Sequence, residues 1–281
     1  MNKNKIIFST YCQDEVQSRW GMNKLVNSFK YYHPDYEIIV YGTSEINRVL
    51  KEYNAHWQTR LHYIMLDMIR KYDTEYICHL DADSLVLGRL DKILSCDYEI
   101  ASCTNNCDIG DADERQNRPK ELWGLPNSKY VSCGCLATNS EKFILQWIGM
   151  IENVIKTYGE INTFWMCDQN WMNVLFHYGG FKSKILDPLD GDVFYGASAN
   201  MNLKHLDRKD PEHIIKEWNI NTWRTWADIE YKNGGFLLYG KQVKLLHQAG
   251  GGRAETAKKL SFDLFNNPVK IKLIEITKHN E

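Results

Sequence analysis

Two aspartates one residue apart, Asp81-Ala82-Asp83, follow the apolar run Tyr76-Ile77-Cys78-His79-Leu80 in a chain of 281 residues. At the end of a strand, this spacing lets both carboxylates turn toward one cation, or lets one of them reach the cation's water and a ribose. Carboxylate oxygens suit Mg2+ and Mn2+, and a cation held there acts as a Lewis acid on a departing phosphate. Acids that end strands also serve as solvated turns, so the pair taken alone leaves both readings open. Other spacings suggest less. Cys103-x-x-x-Cys107 and Cys133-x-Cys135 lack the two-residue gap of a zinc knuckle, and the eight cysteines read as mostly free, buried thiols. Sixteen tyrosines and nine tryptophans offer flat faces on which sugar rings can stack, although most are expected in the core.

The elements that must position these groups are legible from periodicity. Residues 5–10 read as a buried strand, 22–32 as an amphipathic helix and 36–41 as a second strand reached through His33-Pro34-Asp35. Leu61, Ile64, Met65, Met68 and Ile69 recur at helical spacing, which predicts a helix over 60–71 closed by Tyr72-Asp73-Thr74. A third strand is predicted over 76–80, with others at 100–102 and 136–138 around a polar, irregular stretch from 104 to 129. A stretch of that length inside a compact domain usually carries function. Helices follow at 141–157 and 168–178, then a mixed region over 188–235 rich in Trp, Tyr and Asn. Strands alternating with helices define an α/β fold with a doubly wound sheet, whose ligands sit beyond the carboxyl ends of the strands. Asp81 lies at such an end.

Composition narrows the functional classes. A formal charge of −2 and a pI near 6.5 give no basic footprint for nucleic acid. Lys204, His205, Arg208 and Lys209 are offset by Asp207, Asp210 and Glu212. Met1-Asn2-Lys3-Asn4-Lys5 runs straight into Ile6-Ile7-Phe8 without the pattern of a secretory leader. Apolar runs end well short of the ~20 residues of a membrane span. A soluble, cytoplasmic enzyme is the expectation.

Four blocks in order then resemble the GT-A glycosyltransferases, particularly the retaining enzymes of glycosyltransferase family 8. They are the strand with Asp81-Ala82-Asp83; Tyr130-Val131-Ser132-Cys133-Gly134-Cys135-Leu136; Asp168-Gln169-Asn170-Trp171-Met172-Asn173; and Leu245-Leu246-His247-Gln248-Ala249-Gly250-Gly251-Gly252-Arg253. The second block looks like the family's Asn-Ala-Gly-Val strand with Ser132 in place of Asn. The third looks like its Asp-Gln-Asp-x-x-Asn pattern with Asn170 in place of the second acid. The fourth looks like its His-x-x-Gly-x-x-Lys pattern with Arg253 in place of Lys. The likeness spans most of the chain.

That resemblance implies a GT-A architecture, a mixed but mainly parallel central sheet flanked by helices. It implies one domain over 1–281, with a nucleotide-binding half over about 1–103, an acceptor and sugar half over about 104–253, and a C-terminal extension over 254–281. It makes Asp81, Asp83 and His247 the protein ligands of Mn2+ or Mg2+, the imidazole tilting preference toward Mn2+. Asp168 would meet sugar hydroxyls and Gln169 the anomeric face. Ala82, Cys133 and Gly134 would line the UDP-sugar donor, with Gly134 allowing close approach of the sugar. Gly250 and Arg253 would cradle the diphosphate, the guanidinium bidentately. Arg60 would reach the donor from the helix before the acidic motif. Thr10 and Tyr11 would take the nucleoside, with Tyr11 a stacking face for uracil.

The implied reaction is transfer of a hexosyl group to an acceptor hydroxyl with retention, the leaving phosphate helping to deprotonate the acceptor on the same face. The nearest rival enzyme is a sugar-nucleotide nucleotidyltransferase. Such enzymes carry a Gly-rich basic loop after the first strand, where this chain has Tyr11-Cys12-Gln13-Asp14-Glu15. A carbohydrate-binding protein that has lost turnover is the third reading. The acceptor, whether saccharide, protein, small molecule or nucleic-acid base, is left open.

Overall fold

A computed structural model describes residues 4–12, 23–82, 84–86, 88–104, 131–160, 167–186, 193–196, 229–232, 235–238 and 241–247. In chain order the elements are β1 (Asn4–Tyr11), α1 (Asn23–Tyr32), β2 (Ile38–Tyr41), α2 (Thr43–Glu52), α3 (Arg60–Lys71), β3 (Thr74–Leu80), β4 (Ser84–Val86), the one-turn α4 (Asp91–Leu94) and β5 (Ile100–Thr104). There follow β6 (Val131–Thr138), α5 (Glu141–Tyr158), α6 (Cys167–Tyr178), β7 (Ser183–Leu186), β8 (Val193–Gly196), β9 (Ile229–Lys232), β10 (Gly235–Leu238) and β11 (Lys241–His247).

The central sheet has six strands in the order β2-β1-β3-β6-β5-β7. Pairs β1–β2, β1–β3 and β5–β7 are parallel, whereas β6 runs antiparallel to both β3 and β5. The sheet is therefore mixed and mainly parallel, with β6 the one reversed strand among the six, where a simple doubly wound alternation predicts none. A second sheet, β4-β11-β10-β9 with β8 added on β11, has no counterpart in the sequence reading.

Helices cover the central sheet because their apolar residues fall on one face. In α5, Phe143, Ile144, Trp147, Ile148, Ile151 and Val154 are buried at helical spacing. The Ser140 hydroxyl caps its first turn by accepting from the Phe143 amide at 3.2 Å. Gly159, at φ 84°, closes the other end in the left-handed conformation that glycine adopts without strain. Helix α3 spans the predicted residues and buries Leu61 through Met68. Helix α2 was not foreseen. It lacks a capping side chain, yet Ile46 and Val49 are buried one turn apart.

One core cluster joins α2, α3, α5 and α6 to one face of the sheet through Ile64, Met65, Trp147 and Met172. The other gathers Phe8, Phe29, Leu80, Val86, Leu90 and Leu245, and so ties α1, β4 and β11 to the opposite face. Burying each such side chain stabilises the fold by about 1.5–3 kcal/mol. Strand β4 is fastened by Ser28, whose hydroxyl donates to the Leu25 carbonyl and accepts from the Val86 amide, both at 3.0 Å. Among the described residues no helix is long and apolar enough to cross a membrane.

Candidate functional site

Strand ends converge where β1 and β3 finish side by side. Their register pairs Ser9 with His79, so Tyr11 on β1 and Asp81 just past β3 lie two residues further along. The Tyr11 ring stacks on the His79 ring with centroids 5.4 Å apart and planes 22° from parallel. The Arg60 guanidinium lies 5.5 Å from the Tyr11 centroid and 4.9 Å from that of the exposed Trp57. Arg60 opens α3 and donates to the Trp57 carbonyl at 3.3 Å, which steadies the column of rings. Burial, followed by the charge of Asp81, pushes the Tyr11 hydroxyl well above the ordinary phenol range. Tyr11 is thus a neutral face at any ordinary pH.

Asp81 is held from two sides. Its amide donates to the Gly134 carbonyl at 2.9 Å, continuing the β3–β6 ladder past Leu80. Its Oδ1 lies 3.1 Å from Nε2 of the fully buried His79. The Asp81 carbonyl then accepts from the Ser84 amide at 2.9 Å, a tight turn that carries the acidic motif from β3 into β4.

Opposite Asp81, β6 breaks its alternation. Between the pairs Ser102–Leu136 and Thr104–Val131, two steps on β5 span five on β6. Val131, Cys133 and Leu136 all meet the helix-side core, whereas Cys135 and Ala137 meet the other. This is a bulge over 132–135 that sets Gly134 beside Asp81 at the end of β3. Helix α6 braces it. Asn173 Oδ1 accepts from the Val131 amide at 2.7 Å, and its Nδ2 donates to the Val131 and Gln169 carbonyls, each at 2.8 Å. Gln169 Oε1 accepts from the Cys133 amide at 3.1 Å. Ser132 Oγ accepts from the Gly134 amide at 3.1 Å, and the Ser102 hydroxyl donates to the Ser132 carbonyl.

The first turn of α6 brings Asp168 to the same place. Trp147 on α5 donates from Nε1 to the Asp168 carbonyl at 2.8 Å, and Asp168 Oδ1 accepts from the Gln169 amide at 2.8 Å. Burial raises the pKa of Asp168, the Gln169 amide lowers it, the charge of Asp81 raises it and that of Arg60 lowers it. Two carboxylates and one guanidinium therefore share one field, beside an uncharged tyrosine.

Strand β11 reaches this region from the second sheet. Its antiparallel pairing with β4 sets Leu245 against Val86, Leu246 against Leu85 and His247 against Ser84. His247 is thereby opposite the residue that follows Asp83 in the chain. Asp83, Gly250 and Arg253 lie outside the described residues, and among the described residues no cluster of three metal-ligating side chains occurs.

Of the residues singled out from sequence, Tyr11, Arg60, Asp81, Ala82, Cys133, Gly134, Asp168 and Gln169 fall on the strand ends, the bulge or the helix starts just described. Thr10 is fully buried, and its hydroxyl has no hydrogen-bond partner among the described residues. Two residues named within the motif blocks carry roles that the motifs do not assign. His79 shares a strand face with Asp81 at a two-residue interval, a polar member of an otherwise apolar run. Asn173 lies one helical turn after Gln169. Cys133 and Cys135 part to opposite faces, and no disulfide joins the six cysteines whose side chains are described.

The six-stranded mixed sheet with its helices and the accessory sheet joined at β4 make up a GT-A-like architecture. Among solved structures, the bifunctional glycosyltransferase WbbM in its apo form matches with TM-score 0.55 and 15% identity over 98% of this chain and 52% of that one. The galactosyltransferase LgtC, solved with donor and acceptor sugar analogues, matches with TM-score 0.50 and 17% identity over 94% of this chain and 98% of that one. The chain thus spans about half of WbbM and nearly all of LgtC, and at these identities the likeness concerns architecture. No protein-family model matches the sequence, and no curated protein is significantly similar to it.

Proposed function

We propose that this chain is a metal-dependent glycosyltransferase of the retaining family 8 type, moving a hexosyl group from a UDP-sugar to an acceptor hydroxyl. The observation that carries this reading is the β4–β11 register. It sets His247 opposite Ser84, beside an acidic motif whose first member ends β3 against the bulge of β6. The division of labour along the chain follows, with a nucleotide-binding half to about residue 103, an acceptor half to about 253 and a C-terminal extension.

The donor chemistry fits a divalent cation. Asp81, Asp83 and His247 supply carboxylate oxygens and an imidazole, a set that suits Mn2+ over Mg2+. The hydrogen bond from His79 to Asp81 Oδ1 is the kind of outer support that ligating carboxylates have. When bound, the cation would supply Lewis-acid stabilisation of the charge that develops on the diphosphate.

The chain's own residues supply the rest. Tyr11 offers its neutral face to the base, beside Thr10. Ala82 and the bulge residues Cys133 and Gly134 line the sugar. Asp168, its pKa raised, takes sugar hydroxyls, and Gln169 stands at the anomeric face while its oxygen holds the Cys133 amide. Arg60 balances the charge of the two acids, and Gly250 and Arg253 orient the phosphates.

A panel of UDP-sugars incubated with Mn2+ or with EDTA tests the reading. Release of UDP with Mn2+ alone is expected. Pyrophosphate formation from a nucleoside triphosphate would replace it with the nucleotidyltransferase, and saturable binding without turnover would replace it with an inactive carbohydrate-binding protein. Retention requires a product with the donor's anomeric configuration, and an inverted product would remove that part.

A further inference from the structure

We propose that His79 is a positioning residue for the cation site, fixing the Asp81 carboxylate through Nε2 while its ring seats Tyr11. The inference deepens the proposed function and rests on Asp81 being a metal ligand.

His79 sits on β3 with no exposed surface, two residues before Asp81 and on the same strand face. An ionised carboxylate only accepts hydrogen bonds, so the 3.1 Å contact to Oδ1 requires the proton to be on Nε2. The other nitrogen, Nδ1, has no hydrogen-bond partner among the described residues. A buried imidazole that spends one nitrogen on Asp81 and leaves the other unsatisfied is a poor choice for stability, since an apolar side chain would fill the site without that cost. Its use lies in the direction it gives the carboxylate. Rotation of Asp81 about its Cβ–Cγ bond is restrained by a donor that is itself clamped, because Tyr11 stacks on the imidazole face and Arg60 lies against Tyr11. One rigid ring therefore joins the nucleoside side of the site to its cation side. An outer-shell donor of this kind typically changes metal affinity by roughly 10- to 100-fold when lost.

Two substitutions separate orientation from mere core filling. In His79→Gln the amide nitrogen reaches about as far as Nε2, whereas in His79→Asn it reaches only about as far as Nδ1. Calorimetric titration with Mn2+ in the presence of UDP, on the full chain, is the readout, with UDP alone and the melting temperature as controls. We expect His79→Gln to bind Mn2+ within about threefold of the parent and His79→Asn to bind it roughly 10-fold or more weakly. UDP alone should bind both equally. His79→Phe, which keeps a ring against Tyr11 but has no donor, should behave as His79→Asn does. Equal Mn2+ affinity in the Gln and Asn variants overturns the inference, as does parental affinity in either His79→Asn or His79→Phe. Asp81→Ala marks the other failure. If it leaves Mn2+ binding unchanged, the metal-site reading falls and the inference with it. If it abolishes binding while His79→Asn does not weaken it, the inference alone falls.

Discussion

The two sheets hold their shares of the site by different means. Asp81 extends a strand paired on both sides, with β1 through five residue pairs and with β6 through four, and core lies on both faces. Among the described residues, His247 ends a strand that meets the acidic motif through β4, three residues long, and pairs with Gly196 of β8 on its other side. That joint is fastened by Ser28 on α1, by Val86 and Leu245 in the second core cluster, and by the Lys244 ammonium 3.8 Å from Asp91. Asp81 is over-determined, while the placing of His247 against the acidic motif rests on the short β4 register, whose slip by a single residue would exchange strand faces. A cation held by both would therefore do structural as well as chemical work, closing the smaller sheet on the larger.

The largest expected effect removes that bridge. Asp83→Ala and His247→Ala should each lower Mn2+-dependent hydrolysis of a UDP-sugar by at least about 100-fold, the upper end of what loss of an outer-shell partner costs. Both proteins should unfold in urea much as the parent does without metal. Added Mn2+ with UDP should raise the melting point of the parent but not of either variant. Activity retained in one of them would remove that residue from the site and leave the sheets independent.

The next effect falls on the larger sheet. Asn173→Leu removes three hydrogen bonds, two of them to Val131, and leaves a buried amide and carbonyl unpaired. At about 1–3 kcal/mol for each unsatisfied group, urea unfolding should report a loss of about 2–6 kcal/mol. Because the bulge carries Cys133 and Gly134, donor hydrolysis should fall as well, even where the protein is fully folded. Unaltered stability would mean that the bulge holds itself.

Removing the fastening of β4 should cost less and cost it locally. Ser28→Ala leaves the buried Val86 amide without its acceptor, worth about 1–3 kcal/mol. Amide exchange should speed up at Val86 and Leu245 while Ile77 and Cys78 stay protected. Equal loss of protection in both sheets would show that they open as one unit and would break the comparison.

What sequence made legible follows the same division. Helices α3 and α5 could be bounded closely because their apolar residues repeat over three or more turns and a cap or a polar run ends them. The end of β3 was equally plain, as a run of apolar residues stopping at an acid. Helix α2 had the signal in Ile46, Val49 and Leu50 but lacked a capping side chain to mark its start. Which strand of the mixed sheet is reversed, where its bulge falls and the second sheet could not be read. Each is a relation between distant segments, such as Asn173 with Val131 or His247 with Ser84, and no local period encodes such a pairing. The ordered motifs carried Asp81 and His247 to one region through resemblance. The two-residue interval from His79 to Asp81 is the signal for its role, a weak one because a lone histidine in an apolar strand is more often part of the core.

The smallest effect concerns acid. His33 opens the turn after α1, packs against Phe8 and Phe29, and accepts the Leu90 amide on Nε2 at 3.3 Å. Burial, then the nearby Arg89, lowers its pKa to about 4. Above pH 6.5 the imidazole is neutral in both the folded and the unfolded chain, so its full contribution is present. As pH falls from 6.5 toward 4 the unfolded chain binds a proton that the folded one refuses, and stability declines. His62, which packs edge-on against Trp147 and whose burial lowers its pKa to about 3, adds a decline of the same sign on the larger sheet. Replacing His33 with Gln leaves an oxygen to accept the Leu90 amide and nothing to titrate. In that variant Leu90 and Val86 should keep their exchange protection at pH 5 while the decline near Trp147 persists. If the variant and the parent lose protection around β4 to the same extent, His33 does not set the acid sensitivity of the joint.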